Sequence, residues 1–163
     1  MVAHLAGRGR RRLAFIGASD ENWSGMRRRD GFVRWAGELD PSAPTRMRLG
    51  AFTRDFGRSA AVELLSADRD IDALVCANDL IALGAFDAAH ELGRSVPGDV
   101  AVTGYDDIIV ATASNPTLTT VAQPVGEIAR VALETLWATI RGPASPVADV
   151  VDLPGRLVVR EST

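Results

Sequence analysis

Val75-Cys76-Ala77-Asn78-Asp79-Leu80-Ile81-Ala82-Leu83-Gly84-Ala85 reads as a buried strand that stops at a polar pair and turns into a helix. The run from Ile71 to Ala77 is short and apolar, the pattern of a strand covered on both faces. Asn78 and Asp79 are both favourable helix N-caps. From Leu80 to Leu92 the residues are strong helix formers, and Gly93 is a suitable stop. This helix is apolar along two stripes: Ile81, Ala85, Ala88 and Leu92 form one, Ala82, Phe86 and Ala89 the other. One stripe can cover a sheet. The other then needs a second partner, and another subunit is one candidate.

Working outward, the same strand-to-helix pattern recurs. His4 to Arg12 reads as a helix end and a basic turn, and Arg12 to Gly17 as the first clear strand. Several N-cap candidates in Ala18 to Asn22 precede a helix from Trp23 to Leu39, which Asp40-Pro41-Ser42-Ala43-Pro44 breaks. Arg46 to Phe52 alternates, as a strand near a sheet edge does. Arg58 to Ala67 is a short helix. Beyond the opening stretch, Val100 to Tyr105 is a fourth strand, Ile108 to Pro116 is irregular, and Leu118 to Val121 is extended. Pro124 suits the first turn of a helix running to Arg141. Val147 to Leu153 and Arg156 to Arg160 read as two terminal strands around the Pro154-Gly155 turn. Alternating strands and helices predict an α/β fold: a parallel sheet flanked by helices, with right-handed crossovers.

The 163 residues suit one domain, and the 47% apolar content predicts a packed core. The net charge of −3 does not point to nucleic acid, although Arg8 with Arg10-Arg11-Arg12 and Arg27-Arg28-Arg29 form local basic clusters. No apolar run is long enough to cross a bilayer, and the first residues lack the apolar core of a signal peptide, so a cytoplasmic chain is expected. Cys76, the single cysteine, falls in the opening strand and is expected to be a small buried side chain.

In an open α/β sheet, ligands bind beyond the carboxyl ends of the strands. Here the four strands end at Ser19 and Asp20, at Phe52, at Asn78 and at Asp106. An Asn amide donates and accepts, an ionised Asp accepts only, and an aromatic ring offers an apolar face. That set suits a neutral polyol, sugar or nucleoside. Arg28, near the start of its helix, adds a forked donor. Plainer roles stand beside these: Asn78 as a helix cap, Asp106 as a turn cap, Phe52 as core. Catalytic patterns are thin, and no enzyme is expected. His4 and His90 lie away from the strand ends, no His/Cys spacing fits a metal, and neither a nucleophile elbow nor a phosphate loop is present. Asp106-Asp107 alone is a weak cation signal. No cofactor is expected.

Several blocks carry a resemblance. They are His4-Leu5 with Arg11-Arg12-Leu13-Ala14-Phe15-Ile16-Gly17, Cys76-Ala77-Asn78-Asp79 with Ala82-Leu83-Gly84-Ala85, and Val96-Pro97-Gly98-Asp99-Val100. Gly104-Tyr105-Asp106-Asp107, Leu118-Thr119-Thr120-Val121 with Gln123-Pro124, and the ending Leu157 to Thr163 complete them. In this order and spacing the chain resembles the C-terminal part of the effector-sensing domain of LacI/GalR-type transcription regulators. The resemblance implies a fold like the type I periplasmic sugar-binding proteins, in which two α/β subdomains close on a small molecule. Residues 12–121 and 155–163 would then be the C-terminal subdomain, and 122–142 a helix belonging to the other subdomain. The implied effector-binding residues are Ser24, Arg28, Phe52, Asn78, Asp106 and Gln123.

The resemblance further implies a sugar effector, and a homodimer whose contact uses Ile81, Ala85 and Ala88. DNA would be reached only through a helix-turn-helix domain, which does not precede His4. The helix from Pro124 to Arg141 would lack the surface it normally covers. Two other readings are a solute-binding protein of a sugar uptake system and a stand-alone dimerising modulator of an intact regulator. The missing signal peptide argues against the first.

Overall fold

The computed structural model describes residues 1–19, 22–141 and 150–163. Helix α1 (Val2–Gly7) leads to β1 (Leu13–Ala18), α2 (Trp23–Leu39), a short 3₁₀ turn, and β2 (Met47–Gly50). Then come α3 (Arg54–Ala67), β3 (Ala73–Cys76), α4 (Asp79–Glu91), β4 (Ala101–Thr103) and the short α5 (Val110–Ala113). The chain closes with β5 (Thr120–Ala122), α6 (Val125–Arg141) and β6 (Arg156–Val158).

The main sheet has the order β2-β1-β3-β4, every pair parallel. Phe15 stands opposite Met47 on one side and Val75 on the other, and Val75 opposite Thr103. The apolar runs fall where their composition predicts: β1 and β3 are central and wholly buried, while β2 is a partly exposed edge. Arg48 on that edge is ion-paired with Glu63 of α3 at 2.7 Å. Chain direction across the sheet reverses after β2. Right-handed crossovers therefore put α2 on one face and α3 with α4 on the other. The helices leaving β1 and β3 diverge, which opens a crevice between the carboxyl ends of these adjacent strands.

The α3–α4 contact is a backbone-to-backbone one. A Cβ on Gly84 would lie 2.0 Å from the Arg54 carbonyl oxygen, and one on Gly57 would lie 2.3 Å from that of Ile81. This corrects the expected dimer residues. Ile81, Ala85 and Ala88 are fully buried within the single chain, as are Ala82 and Ala89. The second apolar stripe of α4 has its partner in α3. The apolar side chains that α4 leaves at the surface are Leu80, which is exposed, and Leu83 and Phe86, which are half-buried.

Three boundaries differ from the sequence reading. α3 starts at Arg54, capped by Thr53 Oγ1, which accepts the Phe56 N–H; the glycine in its first turn obscured that start. Within the irregular stretch 108–116, Val110–Ala113 forms a single helical turn. The expected terminal hairpin is absent among the described residues: 150–153 is not a strand, and Val147 to Asp149 and the helix stop at Gly142 to Pro146 lie outside them. β6 pairs instead with β5, antiparallel, with Val121 opposite Leu157. This ribbon lies beside β4, tied by Gly104 N–H to the Thr119 carbonyl and Asp106 N–H to the Val121 carbonyl, each 2.9 Å. It then hands the chain to α6. No described residue of α6 is buried, and Leu133, Leu136, Trp137 and Ile140 are all more than half exposed.

Candidate ligand-binding site

The site grows from the first turn of α2. Asn22 caps it, its Oδ1 accepting the Gly25 N–H at 2.8 Å. Gly25 lets that turn close onto β1, since a Cβ there would sit 2.5 Å from the Ala18 methyl. One turn further on, Arg28 reaches across the crevice. Its Nη1 donates to the Ala77 carbonyl at 2.6 Å, at the carboxyl end of β3. Its Nη2 donates to Asp106 Oδ1 at 3.1 Å. The guanidinium lies 3.9 Å from the Tyr105 ring centroid and 6.0 Å from that of Phe52. A forked, planar cation is thus fixed by two acceptors and an aromatic face.

Asp106 follows β4 with φ of +113°, and Asp107 follows it with φ of +55°. Asp106 Oδ1 also accepts from Gln123 Nε2 at 2.6 Å. Among the described residues, both of these donors use Oδ1 and none bonds its second carboxylate oxygen. Asp107 turns away, bound to Arg160 Nη2 at 2.7 Å. The two adjacent carboxylates go to separate arginines, and the described residues contain no cluster of three metal-ligating side chains. Asn78 is both a helix cap and a lining residue of the cleft. Its Oδ1 caps α4 by accepting the Ile81 N–H at 2.9 Å, and the residue also lines the cleft, where its amide nitrogen is the group it can offer.

Asn22, Ser24, Arg28, Phe52, Asn78, Asp106 and Gln123 line one cleft of about 240 Å³. All six residues singled out from the sequence therefore converge on one place. Of the residues at the end of β1, Ser19 is exposed and outside the lining, and Asp20 lies outside the described residues. Two participants escaped the sequence reading. Asn22 looked only like a cap, although its neighbour Ser24 was named. Tyr105 sits beside Asp106 in the sequence, but its contact with Arg28 depends on how far that side chain reaches across the crevice from α2. A second cavity of about 370 Å³ lies on the other flank of Arg28, among Phe15, Phe32, Trp35, Cys76 and Tyr105. Its walls are almost wholly carbon, so it offers little to orient a polar ligand. Burial pushes the Cys76 thiol up, away from thiolate chemistry.

Residues 2–163 match the family described as a periplasmic binding protein-like domain. The chain belongs to this family. Among its relatives is the HTH-type transcriptional regulator MalR of Streptomyces coelicolor, 38% identical over 167 residues, covering 99% of this chain and 48% of that protein. A regulatory protein of the LacI family from Chloroflexus aggregans superposes with a TM-score of 0.88 at 30% identity, over 99% of this chain and 58% of that one. The transcriptional regulator CelR, solved as a cellobiose complex, gives 0.83 at 34% identity, over 99% and 50%. The chain spans about half the length of the curated relatives it matches. Its relatives are LacI/GalR-type helix-turn-helix regulators, and its sheet and flanking helices are those of the periplasmic-binding-protein type I-like fold.

Proposed function

We propose that this periplasmic binding protein-like chain is the effector-sensing part of a LacI/GalR-type transcription regulator, and that the effector is a sugar. The observation that carries this is the convergence of Arg28, Asn78, Asp106 and Gln123 on one cleft that also holds Phe52. Arg28 presents donors, Asp106 an acceptor, and the two are already hydrogen-bonded to each other. Neighbouring hydroxyls of a sugar match such a pair, one accepting and one donating. Phe52 offers its face to the C–H side of the ring. No turnover is assigned to this cleft.

Coupling follows from chain connectivity. Gln123 binds Asp106 and stands two residues before α6. A ligand that takes over the Asp106 carboxylate competes with Gln123 and so biases the direction in which α6 leaves the sheet. In a regulator, that bias would be passed to whatever α6 packs against, and from there to DNA affinity. We assign self-association to the outward side of α4, through Leu80, Leu83 and Phe86, with Val110 beside them. No described helix is long and apolar enough to cross a membrane, and the reading places the protein in the cytoplasm.

Isothermal titration of the chain with cellobiose, maltose and lactose tests the proposal, with a purine base as the contrasting arm. Saturable binding of at least one sugar is expected, and D106N should weaken it about tenfold or more by removing a charge-assisted hydrogen bond. Binding of the purine alone, or sugar binding indifferent to D106N, would refute the sugar assignment.

A further inference from the structure

Asp79 is the second residue of the polar pair at the head of α4, and unlike Asn78 it does not line the cleft. It is 1% exposed. Its Oδ2 accepts the Ile108 N–H at 2.9 Å and its Oδ1 accepts the Thr120 hydroxyl at 2.6 Å. Its own N–H donates to the Tyr105 carbonyl at 2.9 Å. These bonds grip residues 105 and 108, on either side of Asp106 and Asp107, the two non-glycine residues with positive φ among the described residues. They also grip β5 at Thr120, three residues before Gln123. The place calls for a side chain that accepts from a peptide N–H and hydrogen-bonds a hydroxyl, which the Asp79 carboxyl does with its two oxygens. Gly104 leaves the room, since a Cβ there would lie 2.2 Å from Asp79 Oδ1.

The geometry points to Asp79 as the positioning residue of the cleft: from behind, it holds the left-handed turn that presents Asp106 and the strand that delivers Gln123. It touches no ligand and acts through these two side chains. The inference rests on the effector reading for its functional meaning, while the positioning itself can be measured without any ligand. Without the Asp79 carboxylate the Tyr105 end keeps its bond to the residue 79 N–H, but the Ile108 N–H and the Thr120 hydroxyl lose their acceptor among the described residues, and two consecutive positive-φ residues held at one end only relax readily towards ordinary backbone.

Site-resolved amide hydrogen exchange on the wild type, D79A and D79N tests this, followed by titration with the same sugars. In D79A the amides of residues 105–108 and 120–123 should exchange about tenfold faster or more, while those of β1 and β3 stay protected, as expected of a local opening. In D79N the exchange should return towards wild type, because the amide oxygen can take the Ile108 N–H and the amide nitrogen can donate to Thr120. Sugar affinity should fall about tenfold in D79A and recover in D79N. T120V removes one grip at nearly constant volume. It should loosen 105–108 and 120–123 in milder form, and it decides the matter if D79A does not fold. Unchanged exchange at 105–108 in D79A or T120V, or a uniform loss of protection that includes β1 and β3, would overturn the positioning role. Absence of sugar binding by the wild type would instead count against the effector reading and leave the exchange result to stand alone.

Discussion

Arg28 shows how much one side chain can organise. It bonds the end of β3 through Ala77, bonds Asp106 beyond β4, and lies against Tyr105. A lysine keeps the charge but cannot reach two acceptors in a fixed fork or stack as a plane. R28K is therefore expected to cost about 1.5–3 kcal/mol of sugar binding, roughly ten- to hundredfold in Kd, measured by titration calorimetry. The residues of the cleft were legible because strand ends in a parallel sheet share one rim, so Phe52, Asn78 and Asp106 could be grouped before their distances were known. Arg28 could be added from its place near the start of its helix, whereas Ser24 and Gln123 came only from the family resemblance. Asp79 was not legible. Its sequence context makes it a second N-cap candidate, and only the packing of β4 and β5 against α4 turns it into a buried acceptor for two other elements.

At the scale of elements, the α3–α4 crossing is the most demanding contact in the molecule. Gly84 faces backbone atoms of α3, which cannot rotate aside as a side chain can. G84A is expected to destabilise the chain by about 1–3 kcal/mol or more despite alanine's better helix propensity, read as a lower urea midpoint at unchanged slope. The same crossing explains why the double stripe of α4 misled the sequence reading. Periodicity shows that a face is covered, and it does not say whether the cover is a sheet, a neighbouring helix or another subunit. The lengths of α2 and α4, by contrast, followed closely from caps and breakers, since Asn22 and Asn78 act locally. β6 was half legible: its apolar character marked a strand, but its partner, β5, lies more than thirty residues earlier and no local signal names it.

At the scale of the whole molecule, two carboxylates pull stability in opposite directions with pH. Asp40 accepts from Ser42 and Arg46, and these hydrogen bonds lower it from 3.8 to about 2. Its contribution is present above the ordinary carboxylate range and is lost as pH falls from about 4 towards 2. Burial raises Asp79, ahead of the opposing effect of its hydrogen bonds. Stability tied to its protonated form is present at low pH and is lost as pH rises through its folded value. The expected outcome is that D40N flattens the acid limb of a denaturant-midpoint-against-pH curve between about 4 and 2, and leaves the neutral region parallel to wild type. An unchanged acid limb would remove Asp40 from the account.

The sheet also has two very different borders. Beyond β4 the ribbon of β5 and β6 occupies the margin, whereas among the described residues β2 ends the sheet on its other side with one row of peptide groups that has no neighbouring strand. Such a border is a template on which another extended chain could add itself and begin a fibril. The strand there is only four residues long, and the arginine on it is held out by a glutamate of the adjoining helix, which sets charge at the place where an incoming strand would have to dock. The ion pair between Arg48 and Glu63, worth little to folding in an exposed position, thereby sets charge on the open margin of the sheet, a feature that disfavours edge-to-edge pairing of strands.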